Sequence, residues 1–192
     1  MKLCSPEDVE AYAVAQEVIY NAEVKALDFS HRQLEGLRAR HTTFADSVFV
    51  ETVMRNANVV DSWFPRVNAE GAEFSGATLT RSSFPRAVLR RARFVGANCN
   101  GVDFAGSDLT DVDFTDTNLE DAKFWYAMVT IEALQRSRNW DEIKHTVRGI
   151  THLLAKEAKT LPAGDPIQTI FTEAIQARNA TNTTGLPHTR TQ

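Results

Sequence analysis

Long apolar runs are missing from this 192-residue chain. Nowhere do about 18 apolar residues follow one another, the length a membrane-spanning helix needs. The opening stretch, MKLCSPEDVE, has no apolar core of the kind a secretory leader carries. The expectation from both absences is a cytoplasmic protein with no membrane role. Cysteine is scarce, with only Cys4 and Cys99, so no disulfide framework is expected. Positive charge is not in excess either: the net charge is -4 and the pI about 5.7. A general nucleic-acid binder needs a basic face, so direct contact with nucleic acid is not expected. No GxxxxGK[ST] phosphate loop occurs.

What the chain has is a period of five. From Val24 to Val129 an apolar residue falls at every fifth position, 22 times in succession. Phe44, Phe64, Phe74, Phe84, Phe94, Phe104, Phe114 and Phe124 belong to this series, as do Leu79, Leu89, Leu109 and Leu119. Two residues before each the side chain is nearly always small, as at Ala57, Ser62, Ala72, Ala92 and Ser107. Neither the 3.6 of a helix nor the 2 of a strand gives this spacing. A square coil does, with five residues to a side and 20 to a turn. Stacked at about 4.8 Å, such coils make a rod about 25 Å long with the large residues on its axis. Cys99 falls on an inward position and is expected to be a core residue.

The units GVDFA, GSDLT, DVDFT, DTNLE and DAKFW resemble the A(D/N)Lxx unit of the pentapeptide-repeat family. The resemblance spans residues 22–129 and implies an all-β solenoid, a right-handed quadrilateral β-helix. It departs at the start, where Leu27, Arg32 and Leu37 stand at small positions, so an irregular first coil is expected. Val48, Val53, Trp63, Val88 and Arg93 replace the Asp or Asn before the central residue, which changes the surface chemistry.

Residues 1–21 read as an N-terminal helical cap. Ser5 is its capping hydroxyl, Pro6 lies in its first turn, Glu7 and Asp8 stand at the positive end, and the helix runs over 6–21. A solenoid needs such ends because its last coil exposes core and backbone. Residues 130–178 read as C-terminal helices. Thr130, Glu132, Leu134, Asn139 and Trp140 resemble the T-x-E-x-L…NW segment that often closes chains of this family, with Trp140 covering the last layer. Further helices are expected over 141–159 and 167–178, followed by a disordered tail at 179–192. Their apolar faces pack either on the rod or against a second copy, as a homodimer through the C-terminal helices.

The same period reads the surface, because outward residues 20 apart lie on neighbouring coils. His31 and His41 then fall on opposite sides and cannot share a metal. Arginines 81, 90, 91 and 93 meet acids: Asp61 with Arg81, Glu70 with Arg90, Asp111 with Arg91, and Glu73 and Asp113 with Arg93. Glu35 with Arg55 and Asp46 with Arg66 follow the rule, and Arg86 lacks an acid. Asp103, Asp108, Asp116, Glu120 and Asp121 have no base one coil earlier and form an acidic collar. Val48, Val50, Val53, Val60 and Trp63 form an apolar ring on the second coil.

The expected function is a non-enzymatic protein-binding scaffold without cofactor or metal. Its candidate contacts are Trp63, the four valines, Arg86 and the five collar acids. The family resemblance implies an alternative, a DNA mimic binding a type II topoisomerase (gyrase) through the acidic coils, since some members imitate duplex DNA. The arginine rungs interrupt the two phosphate lines that a mimic should track. A third alternative is an enzyme with a pocket between a terminal helix and the rod.

Overall fold

The structure, a computed structural model, describes residues 2–143. The expected helices over 141–159 (beyond 143) and 167–178, the tail at 179–192 and a homodimer built from them lie outside the described residues.

Alternating inward and outward side chains make each five-residue unit one side of a four-sided parallel β-helix. Pairings join residues 20 apart along the rod, from Asp28 with Val48 to Asp108 with Met128. Sides long enough to count as strands are β1 Lys2–Leu3, β2 Val18–Tyr20, β3 Glu23–Lys25, β4 Arg38–Arg40, β5 Thr43–Ala45 and β6 Asn58–Val60. They form two parallel sheets, ordered β1-β3-β5 and β2-β4-β6. The inward residues define four sides: Phe44 to Phe124 on the first, Phe49 to Val129 on the second, Met54 to Phe114 on the third, and Ile19 to Leu119 on the fourth. All the phenylalanines and leucines named in the period-of-five series are buried. Stacked rings show the coil spacing directly, with centroids 4.7 Å apart for Phe44 and Phe64 and 4.6 Å for Phe64 and Phe84.

The sides meet at corners where the backbone is left-handed. Every corner residue from Asn21 to Tyr126 has φ between 49° and 70°, and only six of them are glycine. A four-residue turn closes most corners, as where the Arg32 amide donates to the Phe29 carbonyl at 3.0 Å, the geometry of a type II turn. Positive φ alone does not decide where glycine stands, since Asp, Asn, Arg and His occupy most of the other corners and Ala26, Glu51 and Tyr126 the rest. Room does at Gly76, where a Cβ would lie 2.5 Å from Asn56 Oδ1 of the coil below.

At three corners without a closing turn bond, a hydroxyl from the next coil takes its place. The Thr42 amide donates to Ser62 Oγ at 3.2 Å and the Ser62 amide to Ser82 Oγ at 3.1 Å. Leu27 donates to Ser47 Oγ in the same way. The small inward positions are therefore also acceptors for buried amides, which explains serine there in place of alanine.

The N-terminal helix is shorter than expected. It is α1, Pro6–Ala15, capped by Ser5, whose side chain accepts from the Asp8 amide while the Asp8 carboxylate accepts from the Ser5 amide. Gln16 turns left-handed and ends it, and β2 follows. Ile19 falls on the period of five, lies beneath Ala39 and is fully buried, so the β-helix begins at 18 rather than 22. Cys4 is not in a frayed end: Leu3 beside it pairs with Val24. The helix thus takes the place of two sides between β1 and β2, burying Val9 and Ala13.

The first full coil keeps its register despite the unusual residues at 27, 32 and 37. Leu37 is fully buried and Leu27 packs partly on the core. Arg32 has a helix rather than a coil beneath it. Its guanidinium donates to Glu7 at 2.8 Å and Glu10 at 2.9 Å, so its charge is met by α1.

At the other end Thr130 caps α2, Ile131–Gln135, accepting from the Ala133 amide at 3.2 Å. Leu134, 20 residues after Phe114, is fully buried. The Arg138 amide donates to the Thr117 carbonyl, and Asn139 Oδ1 accepts from the Leu119 amide at 3.2 Å. Asn139 does for Leu119 what the carbonyl of a further coil would do. Trp140, which opens α3, Trp140–Ile143, packs partly against the core.

Candidate functional site

The surface begins with its charges, because they separate neutralised patches from available ones. Asp46 and Asp61 are each gripped by two bonds from the arginine one coil later. Arg66 reaches Asp46 at 2.7 and 2.9 Å, and Arg81 reaches Asp61 at 2.6 and 2.8 Å. Those bonds hold both carboxyls below the usual range and raise both guanidiniums. Glu73 lies 3.1 Å from Arg93, Glu70 lies 3.5 Å from Arg90, and Glu35 lies 3.9 Å from Arg55. Arg93 also approaches Asp113 at 3.8 Å.

Two assignments change. Arg91 pairs with Glu70 at 2.9 Å and leaves Asp111 without an ion pair. Asp108 is not free, because Arg90 reaches diagonally up to it at 3.3 Å. Long guanidinium side chains cross columns, which a strict interval of 20 does not capture. His31 lies 3.3 Å from Glu51, a pair at the expected interval that the charge reading passed over. Among the described residues Arg86 has no acid, and Asp103, Asp116, Glu120 and Asp121 have no base. Glu120 instead accepts from Asn100 at 2.9 Å.

The apolar ring of the second coil is not a groove. Val48 lies on the second side, Val53 on the third, Val60 on the fourth and Trp63 on the first, while Val50 stands at the edge of the second. The three valines 48, 50 and 53 are half-buried and Val60 is buried, so the ring divides among four directions.

Trp63 keeps its standing in different company. It is 51% exposed, and its column on the first side continues through Ser83, Asp103 and Lys123. Beside it runs a second outward column of Ala45, Pro65, Pro85, Ala105 and Trp125. Trp125 is 45% exposed, and Tyr126 and Met128 next to it are exposed too. The first side is therefore uncharged over the coils of Trp63 and Ser83 and carries Asp103 on the coil after them, with a tryptophan near each end about three coils, or about 14 Å, apart. The unpaired Arg86 stands at its corner, its stem lying beneath Gly106. Trp125, Tyr126 and Met128, at the end of the repeat, are not among the contacts expected from the sequence. The period that turns Trp63 outward turns them outward as well.

Cys99 is fully buried, and burial pushes its thiol up, so it stays protonated and inert. The cavity at the C-terminal cap, about 320 Å³, is lined by Gln135, Ser137, Arg138, Asn139, Trp140 and Asp141. Asp141 is its sole carboxylate. Among the described residues no group of three or more His, Cys, Asp or Glu is placed to hold a metal ion. No helix among them is long and apolar enough to cross a membrane.

A four-sided coil with a period of five and small and large inward positions in register defines a class. The family model described as pentapeptide repeats matches residues 72–111 and 87–125 in eight copies. Residues 72–125 thus carry the pentapeptide repeat, and the fold that repeat implies is a right-handed β-helix solenoid. No curated protein matches the chain. Among solved structures, a pentapeptide repeat protein, Rfr23, from the cyanobacterium Cyanothece 51142 is 11% identical, covering 64% of this chain and 97% of its own, with a TM-score of 0.36. A pentapeptide repeat protein of the Arabidopsis thaliana thylakoid lumen is 18% identical over 59% of this chain and 72% of its own, TM-score 0.39. QnrB1, a plasmid-mediated fluoroquinolone resistance protein, is 16% identical over 76% and 91%, TM-score 0.34.

Proposed function

We propose that this pentapeptide-repeat scaffold works without catalysis, by holding a segment of another protein along its first side. The observation that carries the reading is the strip from Trp63 to Trp125, which leaves two large apolar side chains exposed on one flat side. Arg86 at its corner sets the chemistry of the occupant: apolar side chains for the tryptophans and a carboxylate for the guanidinium. Tryptophan and arginine are the residue types that most often dominate binding energy.

The acids favour one other reading, a mimic of duplex DNA directed at a topoisomerase. Residues 102–121 hold seven acids and no base. They gather around one coil, with Asp111, Asp116 and Asp121 at three of its corners, whereas a mimic carries charge along its axis. Wild type, Trp63→Ala, Arg86→Glu and Asp116→Lys/Asp121→Lys forms would be used as bait, and the captured protein purified and its affinity measured. The scaffold reading expects the first two variants to weaken binding at least about tenfold and the acid variant to bind as wild type. Loss confined to the acid variant, with DNA competing for the same partner, would establish the mimic instead.

A further inference from the structure

The fourth side has a different character from the first. Its outward columns run Val18, Arg38, Asn58, Thr78, Asn98, Asn118 and Tyr20, Arg40, Val60, Thr80, Asn100, Glu120. Arg38 and Arg40 are exposed and make no ion pair within 4 Å among the described residues; Arg38 donates to the Gln16 carbonyl at 3.4 Å, and Arg40 acts on Asp61 only at longer range. Between them and Glu120 the side carries only Asn, Thr and Val for three coils. One flanking corner holds Gly36, Asn56, Gly76 and Gly96, low apart from Asn56, and ends in Asp116. The other begins with His41 and ends in Asp121, both exposed, with the Asp61–Arg81 pair between them. The side is thus basic at one end, neutral in the middle and acidic at the other.

We infer that the fourth side is a self-association surface on which two copies of this chain pair face to face with their rods antiparallel. A two-fold axis along the Thr78–Thr80 strand sets Arg40 of each copy opposite Glu120 of the other, because each lies two coils from the axis in the same column. The same operation sets His41 opposite Asp121, the glycine corner opposite itself at Gly76, and the other corner opposite itself at Arg81, whose charge Asp61 already meets. A parallel arrangement would set the Arg38 and Arg40 end against itself. Closed two-fold pairing is self-complementary by construction, and this charge gradient is what it requires. The five rungs that this axis pairs, about 4.8 Å apart and about 16 Å wide, offer roughly 400 Å² per copy, or about 800 Å² in the pair. That is smaller than a standard specific interface, so the dimer is weak and dissociates on dilution. This surface shares no residue with the first side, so either assignment stands if the other fails.

Sedimentation of the full chain over a dilution series tests the pairing. The expected result is a reversible monomer–dimer equilibrium that weakens as salt is raised. Arg40→Glu and Glu120→Arg alone should each weaken it about tenfold or more, and together in one chain should restore it. In a Cys4→Ser background, Thr78→Cys should cross-link to its own copy on oxidation, whereas Arg93→Cys on the third side should not. Circular dichroism keeps unfolded variants out of the comparison. A folded wild type that stays monomeric throughout overturns the inference. So does a dimer indifferent to both charge reversals, or one in which Thr78→Cys fails to cross-link, since pairing would then run through another surface.

Discussion

Phe94 and Phe114 stand one coil apart on the third side and are equally buried, whereas Arg93 and Asp113, their outward neighbours, carry opposite charge. The axis repeats every five residues because each inward position meets the same requirement, a large apolar group or a small one. The surface has no such requirement and differs coil by coil. Residues 82–101 hold four arginines and no acid, and residues 102–121 reverse this. Identity is therefore constrained inside, and individuality lies outside at intervals of 20.

That contrast can be broken from the inside first. Phe94→Ala should cost about 3–5 kcal/mol, and Phe94→Asp, which buries a charge without a partner, should abolish cooperative thermal unfolding followed by circular dichroism. A folded Phe94→Asp rod would end the distinction between axis and surface. Ser62→Ala removes the acceptor of the buried Thr42 amide and should lower stability in urea by about 1–3 kcal/mol. Ser83→Ala, one residue after a buried serine but facing out, should stay within about 0.5 kcal/mol.

The corners sharpen the comparison. Gly76→Ala meets both a positive φ and Asn56 Oδ1, and should cost about 1–2 kcal/mol. Ala26→Gly, exposed with φ 54°, relieves strain and should add about 1 kcal/mol by the same measurement. The surface pairs should have the smallest effect and should depend on pH. The Arg81 bond holds Asp61 below its ordinary value of 3.8, so the stability it contributes is present above that pH and is lost as pH falls through the lowered value. Urea midpoints of wild type and Asp61→Asn should differ at neutral pH and converge in strong acid. A constant difference would mean that the pair titrates no differently folded and unfolded.

Much of this was legible because inward positions are read without knowing any contact. The coil, its four sides, the inward Cys99 and six of the seven ion pairs expected at intervals of 20 follow from counting. The start of the β-helix was misplaced because Ile19 satisfies helical spacing as well as the period of five, and only Gln16's left-handed turn decides between them. The Arg91–Glu70 and Arg90–Asp108 pairs escaped because a guanidinium reaches across columns. Trp125 escaped because Trp63 was grouped with the valines of the second coil and with Pro65 and Pro85, when the side continues along the rod to a second tryptophan.

The interval of 20 underlies every surface assignment, and cysteine pairs test it directly. In a Cys4→Ser background, Ser83→Cys/Asp103→Cys should form an intramolecular disulfide readily, since facing residues on neighbouring parallel rungs lie within disulfide reach. Ser83→Cys/Asn98→Cys and Ser83→Cys/Asp108→Cys, spaced 15 and 25, should remain reduced under the same oxidation. Cross-linking of either of those pairs in place of the first would contradict the coil.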